Sequence, residues 1–180
     1  MYVGDTVGKR ISGIIPDMLI VAVADQYLFA ARALRRADRQ EIVRLPLINL
    51  ATVGIELYLK SLNAKSEWSK IGDPLGFRQL HSRALTSGHD LAEQYAVLNH
   101  DVRDKLYSAF NEAAQFSMLP WSLKVMLSKL DGVFQKSRYP FEDGNGVDGI
   151  NVEMLMELAE FLRQFIYDNE DAFYAWSSSG

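Results

Sequence analysis

Residues 46–64 read Pro-Leu-Ile-Asn-Leu-Ala-Thr-Val-Gly-Ile-Glu-Leu-Tyr-Leu-Lys-Ser-Leu-Asn-Ala and predict one helix. Proline is favoured in the first turn of a helix, so we expect the helix to begin at Pro46 and to end near Ala64. Small and apolar residues recur at spacings of three and four and form its predicted buried side: Leu47, Leu50, Ala51, Gly54, Leu57, Tyr58 and Ser61. Because glycine costs about 1 kcal/mol relative to alanine inside a helix, we expect a neighbouring helix to approach closely at Gly54.

Another side of the same helix carries a polar stripe, formed by Asn49, Thr52, Glu56 and Lys60. Glu56 and Lys60 stand four residues apart, a pairing that stabilises a helix by roughly 0.2–0.5 kcal/mol. A stripe that faces inward would form a polar site inside the fold, with Glu56 and Lys60 as contacts to a ligand or to RNA. A stripe that faces water would be an ordinary solvated surface. The sequence leaves both interpretations open.

Similar patterns on both sides predict further helices. A first helix follows Pro16 and runs from Asp17 to about Arg39. The apolar residues that share one of its faces are Leu19, Val23, Tyr27, Ala30 and Leu34. Later helices are predicted to begin at Asp90, at Asp101 with an end near Phe116, at Pro120, and at Asn151, which caps the long last helix. Residues 65–87 lack a clear period, so we expect an irregular segment with at most a helical turn over 77–85.

The number and spacing of these helices predict the fold class. We expect an all-α antiparallel bundle of four to five main helices over residues 17–172. An N-terminal arm (1–16, loose or a short hairpin) precedes it and a tail (173–180) follows it. No apolar run approaches the roughly 20 residues that cross a bilayer, and the N-terminus lacks the pattern of a signal peptide. We therefore expect a cytoplasmic protein that does not associate with a membrane.

The composition limits the kinds of functional site that the chain can contain. The formal net charge is -4, which is less typical of proteins whose main task is to bind duplex nucleic acid. The chain has no cysteine, which excludes disulfides, thiolate zinc sites and cysteine nucleophiles. His81, His89 and His100 lack the spacing of metal ligands, and no glycine-rich phosphate loop is present. We therefore expect neither a metal nor another cofactor.

The segment Ser87-Gly88-His89-Asp90 is the first candidate site. A histidine beside an aspartate at the start of a helix can act as an acid or a base near neutral pH. In the commoner arrangement Asp90 caps the helix, and His89 is a turn residue with a local hydrogen bond. We favour this second interpretation.

Two arginine-containing segments are further candidates. Arg138 and Tyr139 could bind a phosphate and stack a base, or Tyr139 could plug the end of the bundle while Arg138 pairs with Glu142. Four arginines in the first helix recur at i, i+3, i+4 and i+7: Arg32, Arg35, Arg36 and Arg39. Such a stripe could contact RNA phosphates or an acidic partner, but it is more often a solvated face that complements the helix dipole.

Four motifs, taken in order and spacing, resemble the HEPN-like helical domains of bacteria. They are Tyr27–Leu34 in the first helix, Ala51–Leu62 in the second, Gly88–Leu91 at the start of the third and Arg138–Pro140 before the last. The resemblance implies a bundle of four or five helices that is frequently a homodimer. It also implies a bacterial setting, since many members are RNA-cutting toxins or defence proteins. These often work beside a small nucleotidyltransferase partner, whereas other members are binding modules without catalysis.

The nuclease members of this family carry an arginine and a histidine with four to six residues between them, usually near the final helix. In this chain the final helix has Arg163 without a following histidine, and the only formal match runs from Arg83 to His89, ahead of the third helix. We therefore expect a partner-binding module without nuclease activity, in a toxin–antitoxin or defence system. RNA is not favoured as its partner.

Two alternative functions stay open from the sequence. One is a metal-independent endoribonuclease, in which His89 would be the acid or base and Arg83 would stabilise the phosphate in the transition state. The other is a nucleotide or small-ligand binding domain, whose contacts would be Arg138, Tyr139, Glu56 and Lys60.

Overall fold

Seven helices and one hairpin form the part of the chain that the structure, a computed structural model, describes: residues 16–38, 40–70, 78–139, 147, 149–171 and 173. The helices are α1 (Met18–Arg35), α2 (Gln40–Ser61), α3 (Leu91–Ala96), α4 (His100–Glu112), α5 (Leu123–Lys129), α6 (Val133–Arg138) and α7 (Val152–Asp168). The strands are β1 (Ala64–Lys70) and β2 (Arg78–Ala84). The expected all-α bundle is confirmed. The predicted N-terminal arm and tail lie, apart from Pro16 and Phe173, outside the described residues.

Helix α2 is the centre of the bundle and packs against α1, α3, α6 and α7. Of its predicted buried side, Leu50 and Leu57 are half-buried and the other members are buried. Over Glu41–Ser61 the helix is long and apolar enough to cross a membrane by length and composition, and half of this window is buried inside the protein. The core helix of a soluble protein meets the same criteria.

The start of α2 differs from the prediction, because Pro46 lies inside the helix and Gln40 begins it. Proline lacks the N–H that would close one turn, and its ring crowds the carbonyl group four residues before it. Other contacts must therefore hold the turn that precedes it. Arg44 supplies such contacts, since its guanidinium donates to the carbonyl oxygen of Ile150 at 2.8 Å and to that of Val147 at 3.5 Å. The proline was therefore misread as a first-turn residue.

The expected close approach at Gly54 is confirmed, and the neighbour is α1. A methyl group added at Gly54 would lie 3.8 Å from the carbonyl oxygen of Ala24 and 3.9 Å from the amide nitrogen of Leu28. These are ordinary van der Waals distances. The backbones of α1 and α2 thus pass each other with room for little more than one methyl group.

The hairpin corrects the prediction for residues 65–87, because 65–70 and 78–84 are strands and, of the other described residues, only 85–87 are irregular. No helical turn occurs over 78–85. β1 and β2 pair antiparallel from Ala64 opposite Ala84 to Lys70 opposite Arg78. The prediction failed because Trp68 and Leu80 are the only large apolar residues of these two strands, so the alternation of apolar with polar residues is weak.

Asp17 joins this hairpin to α1. Its buried carboxylate accepts hydrogen bonds from the hydroxyl groups of Ser66 and Ser82, one on each strand. The same carboxylate caps α1 by accepting from the amides of Leu19 and Ile20. One side chain therefore fixes both the start of α1 and the position of the hairpin.

Two predicted caps are confirmed. Asp90 accepts from the amide of Glu93 at 2.8 Å and begins α3, and Asn151 accepts from the amide of Met154 at 3.1 Å and begins α7. The apolar stripe of α7 is buried throughout: Leu155, Leu158, Leu162 and Phe165.

The cap of α4 was predicted wrongly. Asn99 begins this helix, and its side chain accepts from the amide of Asp101 at 2.9 Å. An asparagine one position before a histidine fits the N-cap as well as Asp101 does, and the pattern alone did not separate them. The helix ends at Glu112 and not near Phe116.

The helix predicted to begin at Pro120 is two helices. α5 begins after Ser122, whose hydroxyl caps it, and α6 follows a break at Gly132. Gly132 has φ of +69°, a left-handed conformation that glycine adopts without strain and that ends a regular helix. α6 then extends to Arg138, so the first of the two candidate residues Arg138 and Tyr139 lies at the end of a helix.

Candidate functional site

The polar stripe of α2 faces inward, which is the orientation that the first of its two interpretations requires. Thr52 and Glu56 are buried, and the hydroxyl group of Thr52 donates to the carbonyl oxygen of Ile48 at 2.8 Å. The amide group of Asn49 donates to the hydroxyl oxygen of Ser137 on α6 at 3.2 Å. The stripe is therefore part of the contact between α2 and α6.

Glu56 is the centre of this polar region. Its side chain is only 7% exposed and binds two partners at once. The ammonium group of Lys60 donates to its Oε1 at 2.5 Å, and Nδ1 of His89 lies 3.0 Å from Oε1 and 2.9 Å from Oε2. A buried carboxylate needs such partners, because an isolated charge in a protein interior is costly.

The turn before α3 brings His89 to α2. Gly88 has φ of +93°, which requires glycine in practice. Its carbonyl oxygen accepts from the side chain of Gln94 at 3.2 Å, and Asp90 caps α3 directly after it. The predicted cap is therefore present, but the hydrogen bond of His89 goes to Glu56, 33 positions away, and not to a local partner.

α6 supplies the third side of the site. The rings of His89 and Phe134 are 5.1 Å apart between centroids. The guanidinium carbon of Arg138 lies 5.3 Å from the Phe134 centroid and 5.6 Å from the Tyr139 centroid. We call the group of Glu56, Lys60, His89, Phe134 and Arg138 the His89 site. It unites residues that the sequence had suggested separately.

The charges and hydrogen bonds of the His89 site define what it can do. Two permanent cations, Lys60 and Arg138, accompany one carboxylate, Glu56. A carboxylate at Nδ1 favours the tautomer of neutral His89 that carries its proton there, which leaves Nε2 as an acceptor. The side chain of His89 is 51% exposed. The site can therefore present the His89 ring to a partner from solvent and can attract an anion through Arg138.

Arg83 lies elsewhere. It stands on β2 directly opposite Lys65 on β1 and lines a groove of about 640 Å³ whose other described lining residues include Lys65, His81 and Ser87. No hydrogen bond, ion pair or ring contact between Arg83 and His89 occurs in the structure. The two members of the formal Arg–His match thus belong to different surfaces.

The basic stripe of α1 is partly engaged within the fold. Arg32 forms a two-point ion pair with Glu160 of α7, and this hydrogen bond raises the pKa of Arg32 above its usual value. Arg35 pairs with Glu153 of α7 at 2.6 Å. Arg36 follows the end of α1 and is exposed, and Arg39 lies outside the described residues. The stripe therefore helps to hold α1 against α7.

A partly buried network that the sequence did not suggest surrounds Asp25 of α1. The hydroxyl groups of Tyr58 and Tyr167 each donate to its carboxylate at 2.6 Å, and Nε of Arg163 donates to it at 3.0 Å. Burial and its hydrogen bond to Asp25 raise the pKa of Tyr58. Tyr167 has its own hydrogen bond to Asp25, and this bond together with burial raises its pKa. Arg163 is the arginine of the final helix that no histidine follows in the sequence. In the structure it connects α7 to α1.

α1 also has an uncharged face that the bundle leaves open. Its buried residues are Val21, Ala24, Leu28 and Ala31. The face predicted from Leu19 and Val23 is largely on the outside, since both are close to half exposed. Phe29 is 71% exposed. We call this open face the α1 stripe; it comprises Leu19, Ala22, Val23, Gln26, Phe29, Ala30 and Ala33.

Among the residues that the structure describes, no group of three or more histidine, aspartate or glutamate side chains could hold a metal ion. Comparison of the chain with family models, with curated proteins and with solved structures gives no match.

Proposed function

We propose that the chain is a HEPN-like helical module that works by binding protein partners, and that its first partner is a second copy of itself along α1. The α1 stripe is the observation that carries this proposal. Isolated exposed apolar residues are common on protein surfaces, but a continuous uncharged face on one helix is typical of an interaction site. The motif order that resembles HEPN-like domains supports a dimer as well.

The symmetry of the α1 stripe favours a second copy over an unrelated partner. The stripe is arranged evenly around Gln26, with members three, four and seven residues before and after it. In an antiparallel pair of α1 helices with the two-fold axis at Gln26, Val23 would face Phe29 of the second copy. Leu19 would face Ala33, so that large residues meet small ones. An isologous interface requires such self-complementarity.

Gln26 suits the centre of this interface. Two glutamines that meet at a two-fold axis can each donate and accept one hydrogen bond, because the amide carries both kinds of group. The seven-residue repeat of Leu19, Gln26 and Ala33 also matches the pattern of helices that pack side by side at a small angle.

The mass of the protein in solution tests the proposal. We expect twice the chain mass of 20.3 kDa by light scattering. Phe29→Glu places a charge in the middle of the stripe and removes an aromatic contact, so we expect dimerisation to weaken by about 30-fold or more. Met118→Glu is the matched control, because Met118 is 91% exposed and lies off the stripe. A monomeric wild-type protein, or a dimer that Phe29→Glu leaves unchanged, would contradict the proposal.

We also propose that the module lacks ribonuclease activity of the Arg83–His89 type. The separation of these two residues onto different surfaces supports this. With structured RNA and tRNA in the presence of a chelator, we expect no cutting by the purified protein. Cutting that Arg83→Ala or His89→Ala abolishes would overturn this part of the proposal in favour of the endoribonuclease.

The setting we propose for the module is the cytoplasm of a bacterium, in a toxin–antitoxin or defence system, beside a nucleotidyltransferase-like protein. The resemblance in motif order supports this setting. A neighbouring nucleotidyltransferase would bind the preformed dimer, so a complex of the two proteins should contain two copies of this chain, as measured by native mass spectrometry. A complex with a single copy would contradict the proposed assembly.

A further inference from the structure

We propose that the open edge of strand β2 binds an extended, acidic segment of a partner protein, which adds to the hairpin as a third strand. The hairpin is a third surface of the molecule and shares no residue with the His89 site or the α1 stripe. The inference goes beyond the proposed dimer, because both the surface and its occupant are different.

Strand β2 has one edge that no other described strand covers. The sheet consists of β1 and β2 where the structure describes it, and β1 pairs with one side of β2 only. Apart from Lys65, the described residues that line the groove of about 640 Å³ belong to β2 or to the three positions after it. A strand edge presents unpaired N–H and C=O groups, which an extended segment can complete with backbone hydrogen bonds.

The two faces of β2 are fixed by Asp17. The hydroxyl group of Ser82 donates to this buried carboxylate at 2.8 Å, so the face of Ser82 is turned towards the start of α1. Side chains alternate between the faces of a strand, and His81 and Arg83 therefore lie on the opposite face, where both are exposed. Lys65 stands opposite Arg83 on β1 and is exposed as well.

The hairpin is basic, although the chain as a whole has a net charge of -4. Its strands contain four lysine and arginine residues and one glutamate: Lys65, Lys70, Arg78 and Arg83 against Glu67. The described lining of the groove includes no carboxylate. Within the part of the chain that the structure describes, Lys65 and Arg83 form no ion pair. Their charge is therefore available to an acidic occupant.

The same charges select which segment can pair with β2. Lysine on an exposed edge strand commonly prevents the edges of two copies from pairing. Here two β2 edges would bring like charges together, whereas glutamates at every second position of an extended segment would all meet the basic face. Leu85 is 51% exposed at the end of β2 and adds an apolar contact. The occupant that fits is thus acidic and not a second hairpin of this chain.

These features favour a protein segment over a nucleic acid. A strand edge offers hydrogen bonds in the spacing of a peptide backbone, which a nucleic acid does not share. The few basic groups of the groove also stand on an acidic protein, and binding to nucleic acid depends mainly on neutralising many phosphates. RNA is therefore the competing ligand in the test.

Fluorescence anisotropy of the full chain with labelled peptides tests the proposal. The probe has the length of β2, seven residues, and alternates glutamate with valine. Its comparators are the same peptide with lysine for glutamate, the same peptide with proline for valine, and a short single-stranded RNA. We expect the glutamate–valine peptide to bind at low ionic strength, at least about 10-fold more tightly than each comparator. The proline peptide keeps the charges but cannot add to a sheet. Hydrogen exchange over β2 should slow when the probe is bound.

Charge-reversing variants locate the binding. Lys65→Glu and Arg83→Glu should each weaken binding of the probe by about 10-fold or more, because they place like charges at the groove. Lys124→Glu is the matched control, since it makes the same change at an exposed position of α5, and it should bind like the wild type. The double variant with Lys65→Glu and Arg83→Glu should bind the lysine–valine peptide in place of the probe. A variant that fails to fold cannot show this exchange.

Four results would overturn the proposal. They are no binding of the probe by the wild-type protein, equal binding of the proline peptide, an equal loss in Lys124→Glu, and tighter binding of the RNA than of the probe. Circular dichroism and the solution mass of each variant show whether it is folded and still associated. A dimer that does not bind the probe would contradict only this inference, and a monomer that binds it would contradict only the proposed dimer.

Discussion

Glu56 shows what sequence can and cannot say about a single residue. The spacing of Glu56 and Lys60 predicted their contact, because residues four apart on a helix are neighbours. It did not predict that the pair is buried or that His89 completes it, since the partner comes from a turn 33 positions away. A sequence pattern within one helix does not reveal a contact between segments that are distant in the chain. The same holds for Asp25, whose partners Arg163 and Tyr167 lie on the last helix.

Tyr58 gives the Asp25 network a signature in the pH dependence of stability. Its pKa is raised in the folded protein, so the folded state keeps the phenol proton at pH values where the unfolded chain releases it. This contribution to the free energy of unfolding is complete below the ordinary tyrosine pKa of about 10. It is lost above that pH by up to about 1.4 kcal/mol per pH unit.

Tyr58→Phe tests this assignment by urea unfolding at about pH 8 and about pH 11. The variant should be less stable than wild type by about 1 kcal/mol at the lower pH, because it loses the hydrogen bond to Asp25. It should then lose less stability than wild type when the pH is raised. The exposed Tyr107→Phe serves as the control and should follow the wild type. Equal pH dependence of Tyr58→Phe and wild type would show that the network does not hold this proton.

At the scale of elements, helices with a regular apolar period were predicted well and their ends less well. The buried face of α7 and the caps Asp90 and Asn151 agree with the structure. Pro46 misled the prediction, because tertiary contacts of the preceding turn outweigh the preference of proline for a helix start. The hairpin was missed because its two strands carry few apolar residues, and a buried aspartate at the start of α1 holds them in place.

α1 shows that apolar periodicity alone does not decide which face of a helix is buried. It is apolar on two sides, so either side could have been chosen as the one that enters the core. The structure buries the side with Ala24 and Leu28, which fits against Gly54 of α2. The side with Leu19 and Val23 stays open. A helix with a second apolar face is typical of one that meets a further partner.

Two glycines allow a matched test of the helix boundaries and of the α1–α2 contact. Gly54→Ala should stabilise the protein by about 0.5–1 kcal/mol, because its methyl group fits at 3.8 Å and alanine is the better helix former. Gly132→Ala should destabilise it by roughly 1–2 kcal/mol, because φ is +69° there. Urea unfolding measures both. A destabilising Gly54→Ala would mean that α1 and α2 are closer than described, and a neutral Gly132→Ala would argue against the break between α5 and α6.

At the scale of the whole molecule, α2 organises the bundle and leaves two surfaces for function. The His89 site lies where α2, α6 and the turn before α3 meet. The α1 stripe belongs to the neighbouring helix, on the side that faces away from α2. Their separation allows a dimer in which the His89 site of each copy stays uncovered. The sequence named most residues of the first surface singly, and it named Leu19, Val23 and Ala30 of the second only as members of one apolar helix face.

Cross-linking at Gln26 tests the proposed assembly most directly. The chain has no cysteine, so Gln26→Cys introduces a single thiol at the proposed two-fold axis. Two such residues should lie within the roughly 7 Å between Cα atoms that a disulfide can span. Under mild oxidation we expect a covalent dimer on a non-reducing gel, and none for the exposed Asn111→Cys of α4. A Gln26→Cys protein that cross-links no faster than Asn111→Cys would contradict the account.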